Sequence, residues 1–460
     1  VAQIIFSDSI PDCYVLANRE VLKSGTDRPS ARGDTKFLPN VLLVVSSPEP
    51  LLSDLAPHTA LSAERPNEKW VMLSEDGKET YRERMETPVN QMDAGVELLK
   101  KYPYSRRVSF SIARPWDVKS GTSPSLMEVY VQVTRGEMPQ AHVTGFFRSV
   151  DVYNYLNLNL IGLAEIQQCV CDGTGLGAGT IAAMLVNAHY YRRDEKKVEK
   201  VSDADAKPLG STPTRHAKLI EAEHIPFGWF QTLEHIYHRG FEDETQWGEV
   251  FEKQGRAKFA HRLLADISEP LEDMLDDKAP FTKEYGEEYA SRYVIGTPKL
   301  PAVRGDVTLE SGEVYTYASR ARWDKNDIER FKKEPTDQLY FAIKMLKEDR
   351  YTRRAAVNIS RPWDVTLKEP ACLRAYVFQA LDKDTLGATF FMRSNDAYGA
   401  TAANQYAFAR LVQFTAMQSG FSKVRLTLLS VNMHIYGDSW NAVDGLLNPK
   451  MPSARERMGI

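Results

Sequence analysis

Cysteine is scarce in this chain: four in 460 residues, Cys13, Cys169, Cys171 and Cys372. A polypeptide of this length can bury a large core without covalent staples, so no disulfide framework is expected and reduced thiols are the default. Excess charge of one sign is also missing. With 58 basic and 62 acidic residues the formal net charge is −4. That excludes a global attraction to nucleic acid or anionic lipid, while leaving room for local basic clusters that hold single phosphates. No apolar run reaches the roughly eighteen residues that a membrane-spanning helix needs, so none is expected. Nor does the N-terminus show a basic stretch followed by an apolar core; no signal peptide is read there, and a cytoplasmic setting is the expectation. The remaining composition, 43% hydrophobic and 26% charged, is that of a globular protein with room for two to four domains of about 100 to 200 residues.

What the sequence does have is a duplication. SRRVSFSIARPWDV, Ser105 to Val118, returns as TRRAAVNISRPWDV, Thr352 to Val365, with the Arg-Arg pair, Arg-Pro-Trp-Asp-Val and the gaps between them kept over fourteen positions. Two copies of one structural unit in a single chain follow from this. The match extends outward on both sides. Gln91 precedes Arg106 by fifteen residues, as Gln338 precedes Arg353. FFRSVD (Phe146 to Asp151) is answered by FMRSND (Phe391 to Asp396), and His189 and His434 each stand forty-one residues beyond the motif arginine, Arg148 or Arg393.

Periodicity predicts the same order of elements in each half. VNQMDAGVELLKK and TDQLYFAIKMLKE carry apolar residues at helical spacing. VSFSIA and AAVNIS alternate, which predicts a strand with one buried and one working face and the arginine pair at its start. NLNLIGLAEIQQCV and ANQYAFARLVQFTA read as helices, each followed by a short loop and a strand, TIAAMLV or KVRLTLLSV. Each half is thus expected to be α+β, a mixed sheet with helices packed on it. Weaker correspondences link EVLKSGTDRPSARGDTKFLP with HIYHRGFEDETQWGEVFEKQGRAKFA, and SSPEPLLSDLAPHT with ISEPLEDMLDDKAPFT. Repeat 1 is placed at 11–195 and repeat 2 at 226–445. Residues 196–225, charged and short of large apolar side chains, read as a linker, and 446–460 as a tail. The glycine-crowded DGTGLGAGT follows a helix and precedes a strand, the reverse of what a phosphate-cradling loop needs, and reads as a connector. Cys169 and Cys171 have no His or Cys neighbours in sequence, so no metal is expected.

In order along repeat 2, the chain carries Tyr315 and Arg320 in EVYTYASRARW, Asp337 to Leu339, Arg353 and Arg354, Trp363 to Val365, Pro370 to Cys372, Arg393 to Asp396, Asn404, and His434 to Tyr436. This series resembles the thymidylate synthases and their pyrimidine hydroxymethylase relatives, and the resemblance covers most of both halves. It implies two such domains, one-carbon transfer to C5 of a pyrimidine nucleoside monophosphate such as dUMP, and 5,10-methylenetetrahydrofolate as the carbon donor. Cys372 would then add to C6 and convert C5 into an enolate-like nucleophile, with the Arg393 guanidinium favouring the thiolate. Arg393 and Ser394 match a phosphate-binding pair, with Asp396 beside them. Arg353 and Arg354 match arginines that reach across a dimer interface to the partner's nucleotide, where forked donors suit a dianionic phosphate. Asn404 matches a residue that reads uracil through its amide, His434 and Tyr436 match ribose-binding residues on one strand face, and Tyr315 matches a tyrosine near the thiol. No nucleic-acid or membrane partner is implied.

The halves diverge at the nucleophile. Ser125 stands where repeat 2 has Cys372, and a serine without an adjacent base is a poor nucleophile at neutral pH. Repeat 1 nevertheless keeps Arg106, Arg107, Arg148, Ser149, Asp151, Asn159, His189 and Tyr191. The duplication then implies an intrachain pseudo-dimer with one live site, to which repeat 1 lends Arg106 and Arg107. Against the family pattern, Leu373 replaces a histidine after the cysteine, Val431-Asn432 a Gly-Asp, and Ala402-Ala403 a Pro-Phe, and the family's proton-relaying glutamate is not placed. A catalytically silent nucleotide-binding protein is the alternative.

Overall fold

The computed structural model describes residues 1–48, 80–120, 123–209, 216–245, 255–296, 309 and 313–448. Most of SSPEPLLSDLAPHT and nearly all of the C-terminal tail lie outside them. The first lobe contains β1 (Gln3–Ser7), α1 (Ile10–Ser24), β2 (Thr26–Arg28), β3 (Thr35–Val45), α2 (Tyr81–Glu86), α3 (Gln91–Lys101), β4 (Ser109–Ser111), β5 (Leu126–Thr134), β6 (Gln140–Phe147), β7 (Val150–Asp151), α4 (Leu156–Thr174), β8 (Gly177–Tyr191) and α5 (Glu195–Ser202). The second contains β9 (Lys218–Ala222), α6 (Ile225–Arg239), β10 (Phe241–Glu244), β11 (Arg256–Ile267), α7 (Lys283–Glu288), α8 (Tyr317–Arg322), α9 (Lys325–Phe331), α10 (Gln338–Glu348), β12 (Ala356–Asn358), β13 (Leu373–Ala380), β14 (Thr385–Met392), β15 (Asn395–Asp396), α11 (Thr401–Ser419), β16 (Lys423–Tyr436) and α12 (Trp440–Leu447). A π-helical segment, Tyr289–Ile295, continues from α7.

Each lobe is built on a mixed eight-stranded sheet, β1-β3-β8-β6-β5-β4 in the first and β10-β11-β16-β14-β13-β12 in the second; β2 and β7 join the first path, β9 and β15 the second. The expected α+β duplication is thereby the observed fold. The long strands β8 and β16 are buried along most of their length. One face of each sheet meets its own helices and the other meets the opposite lobe, which is why these strands read as continuous apolar runs rather than alternating ones. A shared core lies between the sheets, where Leu42, Met184 and Phe146 of the first lobe meet Leu264, Leu429 and Phe391 of the second. Phe146 and Phe391, equivalent positions of the repeat, stack at 4.9 Å between ring centroids.

The repeated motifs have local physical work to do. Gln338 donates to the carbonyls of Arg320 and Asn358 and accepts from the Asn358 amide at 2.8 Å, tying α10 to β12. Gln91 makes the same set of bonds to Arg84 and Ser111. In Arg-Pro-Trp-Asp-Val the aspartate caps its own 3₁₀ turn and pairs with an arginine on an earlier helix, α2 or α8: Arg84 with Asp117 at 2.6 Å, Arg320 with Asp364 at 2.8 Å. The carboxyl of Asp364 is buried, yet Arg320 and Arg374 hold it down to about 2. DGTGLGAGT runs from the last turn of α4 into the start of β8, with Gly175 between them in the left-handed conformation at φ 80° that a side chain resists.

Three expectations need correction. The segment 196–225 is not one extended linker. It holds most of α5, whose Val198 and Val201 are buried, and β9, which pairs in parallel with β11 and buries Ile220. A few apolar residues at the right spacing outweighed the surrounding charge. Likewise the first sheet begins at Gln3, before the expected boundary at 11, because β1 is the counterpart of β9. The Arg-Arg pairs also precede their strands rather than starting them: β4 begins at Ser109 and β12 at Ala356. Ser105 and Thr352 accept from the Arg107 and Arg354 amides at 3.4 Å, holding a turn there.

Candidate active site

Cys372 is half-buried and immediately precedes β13. The Arg393 amide donates to the Cys372 carbonyl at 2.9 Å, while its side chain donates to the carbonyls of Pro370 and Ala371 at 2.6 and 3.1 Å. Arg393 therefore clamps the turn that presents the thiol, and Nη2 lies 3.5 Å from Sγ.

The other lobe completes the cluster. Arg393 Nη1 donates to the Arg106 carbonyl at 2.7 Å, and Tyr130 of β5 donates to the same oxygen at 3.3 Å. The Arg106 guanidinium lies 3.1 and 3.2 Å from the two ring nitrogens of His434 and donates to the Tyr436 hydroxyl at 3.1 Å. Arg107 donates to the Leu367 carbonyl at 3.4 Å. Burial lowers its pKa, and the nearby Arg393 charge adds to that. Among the described residues none of Arg106, Arg107 and Arg393 forms an ion pair with a carboxylate. Three guanidiniums gathered without a counter-charge favour an anion. Burial first, then Arg106 and Arg393, push the His434 pKa well below 6.5, so its imidazole is neutral at neutral pH. Ser394 is buried next to Arg393. Asp396 instead braces the turn into α11, accepting from the Tyr398 and Gly399 amides at 3.1 and 3.0 Å.

Asn404, in the first turn of α11, accepts from the Tyr289 hydroxyl and donates to Asn395 Oδ1, both at 3.0 Å. Tyr315 precedes α8 rather than lying in a strand, with the Arg320 guanidinium 4.2 Å over its ring. Burial raises its pKa, and so does the proximity of Cys372. The same two causes, burial first, raise Tyr289, Tyr293, Tyr317 and Tyr130, so the thiol stands within a wall of protonated phenols. Of these the sequence singled out Tyr315 alone. Tyr289 and Tyr293 carried a faint signal, a helical i, i+4 pair of aromatics. Tyr317, whose hydroxyl accepts from the Leu373 amide at 3.4 Å, was hidden beside the motif tyrosine.

A half-buried thiol with a guanidinium 3.5 Å from its sulfur, beside a cluster of arginines drawn from both lobes, makes a candidate site for a nucleophile and an anion. The thymidylate synthase family model matches this chain at residues 69–240 and again at 288–458, so the chain belongs to that family, transferases of nucleotide biosynthesis acting at C5 of a pyrimidine. Two archaeal proteins named "Putative thymidylate synthase" are similar. The one from Methanococcoides burtonii is 27% identical over 233 residues, 94% of its own length and 50% of this chain. The one from Methanosarcina mazei is 26% identical over 231 residues, with the same coverage of each chain. A thymidylate synthase of Zymomonas mobilis is 30% identical over 141 residues, 28% of this chain and 44% of its own length. The archaeal relatives are thus matched over almost their whole length by half of this chain, as a tandem duplication requires. Among the described residues no helix is long and apolar enough to cross a membrane.

Proposed function

We propose that this chain transfers a one-carbon unit to C5 of a uracil nucleoside monophosphate, dUMP or a close relative, at a single competent site made by both lobes. The observation that carries the reading is the Cys372–Arg393–Arg106 chain of contacts, which joins the nucleophile of lobe 2 to a phosphate-type donor of lobe 1. Arg393, Ser394, Arg106 and Arg107 hold the phosphate, and His434 and Tyr436 contact the ribose. Asn404 reads the base, with Tyr289 and Asn395 fixing its amide. The Cys372 thiolate forms a bond to C6, and the C5–C6 π electrons move toward O4, leaving C5 nucleophilic. The wall of phenols donates hydrogen bonds to the oxygen that gains charge.

The carbon donor is 5,10-methylenetetrahydrofolate, which supplies a methylene carbon when bound. The residues present fit a flat heterocycle: Tyr285, Tyr289 and Tyr293 stack in near-parallel planes, 6° and 19° apart, from the surface to the thiol. A methyl product would need a hydride, which the reduced folate would supply in becoming oxidised, whereas a hydroxymethyl product would need only water. Release of tritium from 5-tritiated nucleotide tests the reading, because C5 exchange reports addition at C6 whichever product forms. Release from dUMP that disappears in Cys372→Ser is expected. No release from dUMP, UMP, dCMP or CMP, with or without the folate, would instead favour a silent nucleotide-binding protein.

A further inference from the structure

We propose that lobe 1 retains a second, non-catalytic site for a nucleoside monophosphate, centred on Arg148, Ser149, His189 and Tyr191 and completed by Arg353 of lobe 2. The inference rests on reading the Cys372 cluster as a nucleotide site, since the lobe-1 cluster repeats its geometry with the roles of the lobes exchanged. The Arg148 amide donates to the Ser125 carbonyl at 2.9 Å, as Arg393 does to Cys372. Arg148 Nη1 donates to the Arg353 carbonyl at 2.9 Å, as Arg393 does to Arg106. Arg353 donates to the Tyr191 hydroxyl at 3.1 Å, as Arg106 does to Tyr436. His189 is buried and depressed by Arg353 and Arg148, as His434 is by Arg106 and Arg393. Ser149 Oγ lies 3.4 Å from His189 Nδ1. Every donor of the anion cluster has therefore survived while the nucleophile has been lost.

A further observation points to a ligand there. α4 carries a buried amide atom that has no partner among the described residues. Asn159, the counterpart of Asn404, leaves Oδ1 unpaired although the residue is only 4% exposed. In lobe 2, Asn404 is anchored by Asn395; lobe 1 has Val150 at that position. A buried amide oxygen left without a partner is unfavourable unless something satisfies it, and a pyrimidine edge offers a donor. Ser125 cannot attack it, so the nucleotide would be bound and released unchanged.

Equilibrium dialysis of the full chain with radiolabelled dUMP, and separately with inorganic phosphate, tests this. Two dUMP per chain are expected for the parent protein, and one each for Arg353→Ala and Arg106→Ala. Tyr191→Phe, a milder change, should weaken one of the two sites tenfold or more and leave tritium release at the Cys372 site unchanged. A single dUMP lost in Arg106→Ala but kept in Arg353→Ala and Tyr191→Phe overturns the second site and leaves the proposed function standing. A single dUMP lost only in Arg353→Ala supports the lobe-1 site and removes the reading of the Cys372 cluster. Two phosphates but one dUMP per chain would make the lobe-1 site one for free phosphate and overturn the nucleotide assignment. No binding by the parent overturns both.

Discussion

Lobe 1 and lobe 2 share one backbone and one set of anion donors, and their differences gather at a few equivalent positions around one thiol. Ser125 faces Cys372 in the alignment of the repeats, Met127 faces Arg374, Glu128 faces Ala375 and Val150 faces Asn395. Met127 and Arg374 each sit at a register irregularity of the strand beginning just after the nucleophile position, and bulges of this kind re-aim side chains beside active sites. In lobe 2 the re-aimed Arg374 reaches Asp364 at 2.7 Å and crosses to Glu128 of lobe 1 at 2.8 Å, all three groups fully buried. Two copies of lobe 1 would bury Glu128 opposite methionine, and two copies of lobe 2 would bury Arg374 opposite alanine. Glu128 would then lose its only arginine, and Arg374 would keep Asp364 but lose Glu128; a buried charge that loses a partner is unfavourable, so this pair favours the mixed assembly over either symmetric one. Lobe 1 thus contributes Arg106 to the Cys372 cluster and one half of this buried pair.

The sharpest way to break the comparison is at the nucleophile. Cys372→Ser should lower tritium release by about 10⁴-fold or more, while Ser125→Ala leaves it unchanged; equal effects of the two would mean the lobes are not specialised.

Next in size is acidification. His142, His189, His261 and His434 are all held below 6.5, by burial first and neighbouring positive groups second. The unfolded chain binds protons at these groups below pH 6.5 and the folded chain does not, so stability is full above that value and falls as pH drops through it. Glu128 works in the opposite sense. Burial raises its carboxyl from 4.5 to about 7 against the pull of Arg374, so it gains stability as pH falls from 7 toward 4.5. Set against Glu128 alone, these four histidines should lower the stability measured by urea unfolding by about 3 kcal/mol between pH 6.5 and 5.5. A flat profile would show that the equivalent histidines of the two lobes are not both buried neutral.

The cross-lobe lock should register at about 2 kcal/mol: Glu128→Ala leaves Arg374 with Asp364 alone. Adding Arg374→Met, which copies lobe 1, should bring stability back to within about 1 kcal/mol of the parent. If the double variant is no better than the single, the pair is not the coupled unit described. The smallest effect is expected at the base-reading amide. Asn404→Asp replaces a donor-acceptor amide with acceptors alone and should shift preference from dUMP toward dCMP by roughly tenfold, read as relative tritium release.

Legibility varied with the distance over which a feature is specified. Gln91, Gln338 and both Arg-Pro-Trp-Asp-Val turns act on neighbours within about one repeat, and their spacing exposed them. Val198, Val201 and Ile220 were masked because a short amphipathic element carries too few apolar residues to stand out from surrounding charge. Tyr289 and Tyr293 were missed because only folding brings them to Cys372. Asn40 and Arg262 were not read at all. They occupy equivalent strand irregularities at φ 54° and 43°, and each reaches into the opposite lobe, Asn40 to Thr427 and Arg262 to Thr144 and Thr180.

From the amino-acid order alone come the duplication, the family, the serine that stands in one copy where the other has Cys372, and the positions of the arginine pairs, because local periodicity and fixed spacing carry all four. The tertiary structure alone decided that Arg106 meets His434 and Arg393, that Glu128 meets Arg374, and that phenols surround the thiol. Those contacts join residues far apart in the chain, and only packing two apolar sheet faces against each other brings them within hydrogen-bonding distance.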